Sequence, residues 1–503
     1  MLRVTFLLLA IAVSAFADRK PNIVFILADD LGYGDVHAFN PDRCKIATPN
    51  LDALAGEGMR FTDAHTASSV CTPTRYNLLT GRYSWRTKLQ RGVLQGNSPP
   101  LIAPERLTVA EMLRKQGYAT AAIGKWHLGL AMNEQRWGDP IADGPLQHGF
   151  QKFFGIAASL DMPPFAFIDN DHFAEVPTTQ KTWIRTGPAA ASFEAVDVLP
   201  TLTKESVDFI QRFDQRNVKQ RAPFFLYVAL ASPHTPIVPT EKWNGKSGLG
   251  AYGDFVMQTD AAVGEIIGAL HDAKLEENTL VIFTSDNGFA PAAKVKELEA
   301  HGHFPSAQFR GYKADIWEGG HRVPFIVRWP GVVRPGTRSE QVICLGDFLA
   351  TCAAITGAAL PANTGEDSIS FLPALRGDDG GGGDDQTDAK PREAIVHHSV
   401  NGNFAIQQGS WKLCLCAGSG GWGDPREPAA AKQNLPPMQL YDLSRDPAET
   451  TNLAADRPDI VEKLQALLQR YIDTGRSTPG APQTNDVAIE ILKTSQRAVQ
   501  SKE

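Results

Sequence analysis

The stretch "NIVFILADD", residues 22–30, contains six consecutive apolar residues and ends in two aspartates. Three further runs have the same form: "YATAAIGKWHLG" (118–129), "FFLYVALASPHTP" (224–236) and "LVIFTSDNG" (280–288). Such runs are typical of strands buried on both faces of a parallel sheet. The segments between them have helical patterns: "LTVAEMLRKQG" (107–117), "LTKESVDFIQRF" (202–213) and "VMQTDAAVGEIIGALHDA" (256–273). Alternating strands and helices predict an α/β fold with a large, doubly wound, mostly parallel sheet flanked by helices.

The chain then changes character at "GDDGGGGDDQTDAK", residues 377–390, which predicts a flexible loop or linker. Three short strand-like pieces follow it: "EAIVHHSV", "NFAIQQGSWKLCLC" and "QLYDLSRDP". The segment "IVEKLQALLQRYIDT" (460–474) after them has a helical pattern. We therefore expect a large domain at 18–376 and a smaller C-terminal α+β domain at 391–503, containing an antiparallel sheet and a packed helix.

Composition excludes several classes of protein. The chain has 49 basic and 56 acidic residues and a formal net charge of −7, which does not suit a nucleic-acid partner. Any anionic ligand must therefore be recognised by a local cationic pocket. Six cysteines in 503 residues do not make a disulfide scaffold, although the sequence leaves their pairing open.

The N-terminus has the form of a secretory signal peptide. "MLRVTFLLLAIAVSAFA", residues 1–17, has a basic start, an apolar run and a small-x-small ending. The apolar run is shorter than the roughly 20 residues that a membrane span requires. We expect cleavage after Ala17 and export to the periplasm or the medium, with no membrane span elsewhere.

Polar residues follow each of the four apolar runs. They are Asp29 and Asp30, Lys125 and His127, His234, and Asp286 and Asn287. Ligands of open α/β sheets bind outside the carboxyl ends of the strands, so these side chains predict one shared site. The carboxylates and the amide are all oxygen donors, which suit a hard cation such as calcium or magnesium. Alternatively, the first aspartate pair only caps a turn.

The segment "SSVCTPTRYNLLTGR", residues 68–82, predicts a helix that starts near Pro73 and ends at Gly81. Cys71 would then lie at the helix N-terminus, where backbone N–H groups favour an anion. Arg75, one turn later, can direct a guanidinium to the same place. Cys71 is thus a candidate nucleophile beside a pocket for a tetrahedral anion, or simply a small buried residue.

These motifs resemble those of the type I sulfatases of the alkaline phosphatase superfamily. "CTPTRYNLLTGR" fits the family signature C-x-P-x-R followed by x-x-L-L-T-G-R at every fixed position, and "GKWHLG" (124–129) fits the second signature. The resemblance extends from "PNIVFILADDLGYGD" to "LYDLSRDPAETTNLA", nearly the whole mature chain. It implies an alkaline-phosphatase-like fold and hydrolysis of sulfate esters.

The resemblance also implies that a formylglycine-generating enzyme oxidises Cys71 to formylglycine during maturation. The aldehyde would hydrate to a gem-diol, of which one hydroxyl, bound to calcium, attacks sulfur. Loss of the proton from the second hydroxyl would then expel sulfate by C–O cleavage.

By the same resemblance, calcium would be held by Asp29, Asp30, Asp286, Asn287 and the modified Cys71. Arg75 and Lys125 would polarise the diol and neutralise the sulfate, and Lys313 in "FRGYKADIWEGG" would bind sulfate. His127 would take the proton from the second hydroxyl, and His234 would protonate the leaving alcohol.

Candidate substrate residues are less specific. Asp161 in "SLDMPPF", His301 and His303 in "HGHFPS", and Trp422 in "CAGSGGWGD" fall in predicted loops, where a structural role is an equal alternative for the first three. The expected substrate is a sulfated carbohydrate, such as a hexose or hexosamine with a 6-O-sulfate.

Two alternatives remain open. The first is a phosphate or phosphonate ester hydrolase of the same superfamily, since some of these share C-x-P-x-R. The phosphodiester- and phosphonate-cleaving relatives, however, tend to carry histidine where this chain has Asn287. The other alternative is a non-catalytic protein that binds sulfated glycans through a degenerate site.

Overall fold

The computed structural model describes residues 20–214, 222–377 and 392–493. The predicted signal peptide (1–17) and nearly all of the glycine- and aspartate-rich segment (377–390) lie outside the described residues. The strands, in chain order, are β1 (Asn22–Ala28), β2 (Met59–Phe61), β3 (Ala64–His65), β4 (Ala119–Lys125), β5 (Lys152–Ile156), β6 (Ile168–Asp169), β7 (His172–Phe173), β8 (Thr179–Trp183), β9 (Arg185–Ala189), β10 (Phe224–Ala229), β11 (Thr279–Ser285), β12 (Phe325–Arg328), β13 (Thr337–Ser339), β14 (Ile343–Cys344), β15 (Ile395–His398), β16 (Phe404–Gln408), β17 (Trp411–Cys414) and β18 (Gln439–Asp442). The helices are α1 (Pro49–Glu57), α2 (Cys71–Thr80), α3 (Val109–Lys115), α4 (Val198–Gln211), α5 (Gly250–Asp272), α6 (Val295–Ala300), α7 (Glu318–His321), α8 (Asp347–Thr356), α9 (Leu372–Arg376), α10 (Glu427–Lys432) and α11 (Pro458–Asp473).

Ten strands within the described ranges form one large sheet, in the order β13-β2-β12-β11-β1-β10-β4-β5-β6-β7. The five central strands, from β11 to β5, are parallel. Four of them are the apolar runs of the sequence, so the predicted mostly parallel sheet is confirmed. Antiparallel strands extend the sheet on both sides, β12 and β2 on one side and β6 and β7 on the other. Each of these four strands has two to four residues.

Helices cover both faces of this sheet. Consecutive residues of a strand point to opposite faces. In β10, the ring of Phe224 lies 5.6 Å from that of Phe209 in α4, and the ring of Phe225 lies 5.7 Å from that of Phe348 in α8. Helices α4 and α8 therefore lie on opposite faces, as a doubly wound sheet requires.

A second sheet of four antiparallel strands, β15-β16-β17-β18, forms the C-terminal part with α11. Its core continues into the first part of the chain. Trp85 packs edge-on against Phe404 at 5.3 Å, and the N–H of Val396 donates to the Tyr83 hydroxyl at 3.1 Å. The two predicted units thus share a hydrophobic seam, and the domain boundary itself stays a prediction.

All six cysteines are free and buried. None of the helices in the described ranges combines the length and the hydrophobicity that crossing a bilayer requires.

Candidate active site

The carboxyl ends of four adjacent strands, β11, β1, β10 and β4, bring the predicted polar residues to one edge of the sheet. Gly124 in β4 permits this arrangement, since at φ +124° a Cβ would lie 1.8 Å from the carbonyl oxygen of Ala229 in β10. The close approach of the two strands places the next residue, Lys125, beside the end of β1. Its ammonium Nζ lies 2.6 Å from Asp29 Oδ2.

The three acidic residues and Asn287 are buried together. The N–H of Asp30 donates to Asp286 Oδ1 at 3.3 Å, and Asn287 Nδ2 donates to Asp30 Oδ1 at 2.7 Å. Asp30 has φ +65°, a left-handed conformation that aspartate adopts more readily than most residues. This turn directly after β1 brings the carboxylates of Asp29 and Asp30 to the same cluster.

These residues fit a hard cation. Candidate ligand atoms of Asp29, Asp30, Cys71 and His234 all lie within 4.8 Å of one another. Asn287 Oδ1 is buried and has no hydrogen-bond partner among the described residues, so it is free to act as a ligand. The donors of Asp29, Asp30, Asp286 and Asn287 are all oxygens, as calcium or magnesium prefers.

Each carboxylate also contacts a buried cationic side chain. Lys313 Nζ lies 2.6 Å from Asp30 Oδ1, and Arg75 Nη2 lies 2.7 Å from Asp286 Oδ2. Burial alone would raise the pKa of Asp29, but Lys125, His234 and Arg75 hold it below the usual value. Burial and the nearby Asp29 raise the pKa of Asp286. The cluster therefore brings three cationic side chains, each paired with a carboxylate, to one edge of the sheet.

Cys71 begins helix α2 and its side chain faces this cluster. The residue is 2% exposed, and Sγ lies 3.8 Å from Asp29 Oδ1. Gly81 ends the helix at φ +63°, as its position in the sequence predicted. Burial raises the pKa of the Cys71 thiol to about 12, so the unmodified side chain would be a neutral thiol and a poor nucleophile.

His127 is held by the backbone rather than by an acidic side chain. Its Nε2 donates to the carbonyl oxygen of Leu94 at 2.8 Å, and Nδ1 is buried without a partner in the part of the chain that the structure describes. The proton therefore lies on Nε2, and Nδ1 keeps its lone pair. Burial and the charge of Lys125 hold the His127 pKa well below its usual value. The ring is thus a neutral acceptor.

His234 follows β10 at the same edge of the sheet. Its Nδ1 donates to the carbonyl oxygen of Thr235 at 2.6 Å, and its Nε2 lies 3.6 Å from Asp30 Oδ2. Burial, with the charge of Lys313 adding to it, lowers the His234 pKa. Asp161 is nearby, with Oδ1 4.0 Å from His234 Nδ1.

Two of the predicted substrate residues, His303 and His301, form hydrogen bonds with other parts of the chain. His303 is fully buried, with Nε2 on Asp35 Oδ1 at 2.8 Å and Nδ1 accepting from the N–H of Lys45 at 3.1 Å. His301 is exposed, and its Nδ1 donates to the carbonyl oxygen of Glu297 within its own helical segment. In this conformation His303 has no ring nitrogen available to a substrate, and no contact links His301 to the cluster among the described residues.

Trp422 is 39% exposed and is tied to the loop that carries Lys313. The buried Asp315 accepts hydrogen bonds from the N–H groups of Trp422 and Gly423 at 2.9 and 2.8 Å. The C-terminal loop is therefore fixed beside the Lys313 loop.

The sequence did not predict several residues that lie near the site. Leu94 acts through its carbonyl oxygen, and Thr72 Oγ1 accepts the Leu94 N–H at 3.2 Å. Arg185, in β9, contacts Asp161. A backbone acceptor has no sequence signal, and the hairpin that carries Arg185 lacks the apolar pattern of a buried strand.

The chain is similar to known proteins over most of its length. The Sulfatase family model matches residues 21–358. An N-acetylgalactosamine-6-O-sulfatase of Bacteroides thetaiotaomicron is 34% identical over 90% of this chain and 93% of that protein. Arylsulfatase A of Homo sapiens is 36% identical over 92% and 89%. A solved structure from work on the metabolism of multiple glycosaminoglycans by Bacteroides thetaiotaomicron has a TM-score of 0.78 and 33% identity, covering 90% of this chain and 99% of that chain. With a family match over more than half of its length and relatives aligned almost end to end, the chain belongs to the sulfatase family.

Proposed function

We propose that this protein hydrolyses the sulfate ester of a carbohydrate, with a 6-O-sulfated hexosamine as the preferred candidate. The main support is the single buried cluster in which Cys71, three carboxylates and three cationic side chains meet at one edge of the sheet. The Bacteroides relative that is named as an N-acetylgalactosamine-6-O-sulfatase supports the choice of sugar.

Two groups complete the proposed site. Asp29, Asp30, Asp286 and Asn287, with the modified Cys71, would hold one calcium ion, which when bound supplies positive charge next to the nucleophile. Cys71, oxidised to formylglycine by a formylglycine-generating enzyme, would supply a hydrated aldehyde as the nucleophile. Its neutral, buried thiol makes the unmodified cysteine unsuitable for this task.

The remaining residues bind the sulfate group and move protons. Lys125, Lys313 and Arg75 would neutralise the sulfate oxygens as charge develops during S–O cleavage. The contact with Leu94 holds the His127 proton on Nε2 and leaves the lone pair on Nδ1. Nδ1 would therefore accept the proton from the second hydroxyl of the hydrated aldehyde. His234, whose Nδ1–H is engaged by the Thr235 carbonyl, would take up a proton from solvent at Nε2 and pass it to the leaving alcohol oxygen.

The proposal includes the processing of the chain. Residues 1–17 would direct export to the periplasm or the medium and be removed. The catalytic domain would comprise residues 18–376, and the C-terminal domain residues 391–503.

The test is turnover by purified protein in calcium-containing buffer. Mass spectrometry of the tryptic peptide that contains Cys71 first measures the modified fraction, because the aldehyde form is lighter than the thiol. Initial rates are then compared for N-acetylgalactosamine 6-sulfate, 4-nitrophenyl sulfate and 4-nitrophenyl phosphate. We expect sulfate release from the sugar, and none from a Cys71→Ala control. Faster phosphate than sulfate turnover would favour a phosphate ester hydrolase, and binding without turnover by fully modified protein would favour a glycan-binding protein.

A further inference from the structure

Asp161 has one carboxylate oxygen that the protein does not use. The residue is 6% exposed, and its Oδ1 has no hydrogen-bond partner among the described residues. Buried polar atoms are almost always paired, so an unpaired carboxylate oxygen points to a donor that comes from outside the chain. The oxygen lies 4.0 Å from His234 Nδ1, next to the group that we propose protonates the leaving alcohol.

The other oxygen of Asp161 is fixed by Arg185. Its guanidinium Nη1 forms a close ion pair with Asp161 Oδ2 and lies 3.5 Å from the Asp161 carbonyl oxygen. The Arg185 side chain is 45% exposed, whereas that of Asp161 is 9% exposed. The ion pair therefore extends from the solvent side inward and determines which Asp161 oxygen remains free.

Arg185 belongs to the hairpin of β8 and β9, which is anchored close to Asp161. The N–H of Phe165 donates to the Pro188 carbonyl at 2.8 Å, and the N–H of Ala190 donates to the Phe165 carbonyl at 2.9 Å. The ring of Trp183 in β8 packs against that of Phe165 at 4.9 Å. These contacts fix the hairpin to the segment that follows Asp161, so the position of Arg185 is set by the fold.

We propose that Asp161 Oδ1 accepts a hydrogen bond from a hydroxyl or amide N–H of the alcohol half of the substrate, and that Arg185 is the residue that positions it. This inference rests on the proposed function. An ionised carboxylate only accepts hydrogen bonds, so the subsite selects a donor. A sugar carries hydroxyl groups within a few bonds of its sulfate, whereas a simple aryl sulfate carries none. The Asp161–Arg185 pair therefore makes the site selective for carbohydrate sulfates over aryl sulfates.

The test compares kcat/KM for N-acetylgalactosamine 6-sulfate with kcat/KM for 4-nitrophenyl sulfate. The variants are Asp161→Asn, Arg185→Met and the conservative Arg185→Lys. Arg338→Met serves as the matched control, because Arg338 is an exposed arginine paired with Glu340 at 2.8 Å. Unfolding temperatures and the Cys71 peptide mass are measured for every variant. Binding of unsulfated N-acetylgalactosamine, followed by NMR titration, supplies a readout that is independent of turnover.

We expect the sugar-to-aryl ratio of kcat/KM to fall about tenfold to a hundredfold in Asp161→Asn and Arg185→Met, the size expected for one hydrogen bond to a charged group. Arg185→Lys should recover part of this loss, the control should keep the wild-type ratio, and sugar binding should weaken in parallel.

An unchanged ratio, or equal losses on both substrates, would overturn the inference. Wild-type protein that releases no sulfate, yet binds the sugar in a way that depends on Asp161, would contradict only the proposed function. Sugar binding that is absent, or that Asp161→Asn leaves unaltered, would contradict the subsite.

Discussion

Replacing Arg75 with methionine would test whether the buried charges at the sheet edge depend on one another. The guanidinium is fully buried; Nε and Nη2 lie 3.0 and 2.7 Å from Asp286 Oδ2, and Nη1 donates to the Lys125 carbonyl at 3.1 Å. Methionine replaces the aliphatic part of the arginine side chain and carries no charge. The substitution therefore leaves the Asp286 carboxylate buried without its partner.

The expected loss of stability is large. Removing one member of a buried ion pair costs about 3–5 kcal/mol, because the other charge stays desolvated. At about 2 °C per kcal/mol for a large chain, the unfolding temperature should fall by about 6–10 °C. The loss should also increase with pH. Burial and Asp29 already raise the Asp286 pKa, and loss of Arg75 raises it further, so the folded variant retains a proton that the unfolded chain releases. Stability of the variant therefore declines as the pH rises above the unfolded carboxyl pKa.

The assay is thermal unfolding followed by circular dichroism at pH 5 and pH 8, with a chelator present so that calcium does not contribute. The second variant, Arg75→Met with Asp286→Asn, removes the stranded charge and should recover much of the lost stability. Arg338→Met is again the control for loss of an exposed arginine. If the unfolding temperature of Arg75→Met lies within about 2 °C of the wild-type value at pH 8, the reasoning is refuted. So small a decrease is far below the one expected when a buried charge loses its partner.

Three further outcomes are expected. His127→Asn should lower kcat about a hundredfold to ten-thousandfold on the sugar sulfate, as for loss of a general base, and a loss below tenfold would argue against this role. Because burial and Lys125 hold the His127 pKa below 6.5, activity of the wild type should persist when the pH falls from 7.5 to 6.5; a half-loss centred at 6.5 would contradict this. Asn287→Ala removes a buried oxygen that has no hydrogen-bond partner among the described residues and could bind calcium. The variant should need at least about ten times more calcium than the wild type for the same rise in unfolding temperature. An unaltered titration would exclude Asn287 as a ligand.

Much of the fold was predictable because the central strands are buried on both faces. Strands β1, β4, β10 and β11 lie in the four mostly apolar runs, and each strand begins within about two residues of its predicted start. The polar residues after them could be grouped correctly since parallel strands end at the same edge of a sheet. The short edge strands, such as β6 and β7, have too few residues for a detectable periodicity.

The rest of the candidate site was predictable only where its side chains belong to motifs with fixed spacing. Cys71 and Arg75 lie in such a motif, and the structure places both beside the carboxylates. The position of His303 depends on Asp35, a distant partner that no local pattern reveals. Likewise, the contact between Asp161 and Arg185 depends on the packing of a solvent-exposed hairpin.

The hydrophobic seam between the two sheets has a consequence for the biogenesis of the protein. Tyr83 and Trp85, which follow the helix that begins at Cys71, are covered by residues of the C-terminal sheet. About 310 residues separate Trp85 from Ile395, and at about 5–20 residues per second a ribosome needs about 15–60 s to synthesise them. During that interval the signature helix lacks part of its final cover, and we expect Cys71 to be within reach of another enzyme. Chain elongation would thus set the time available for the proposed modification of Cys71, which is inaccessible once folding is complete.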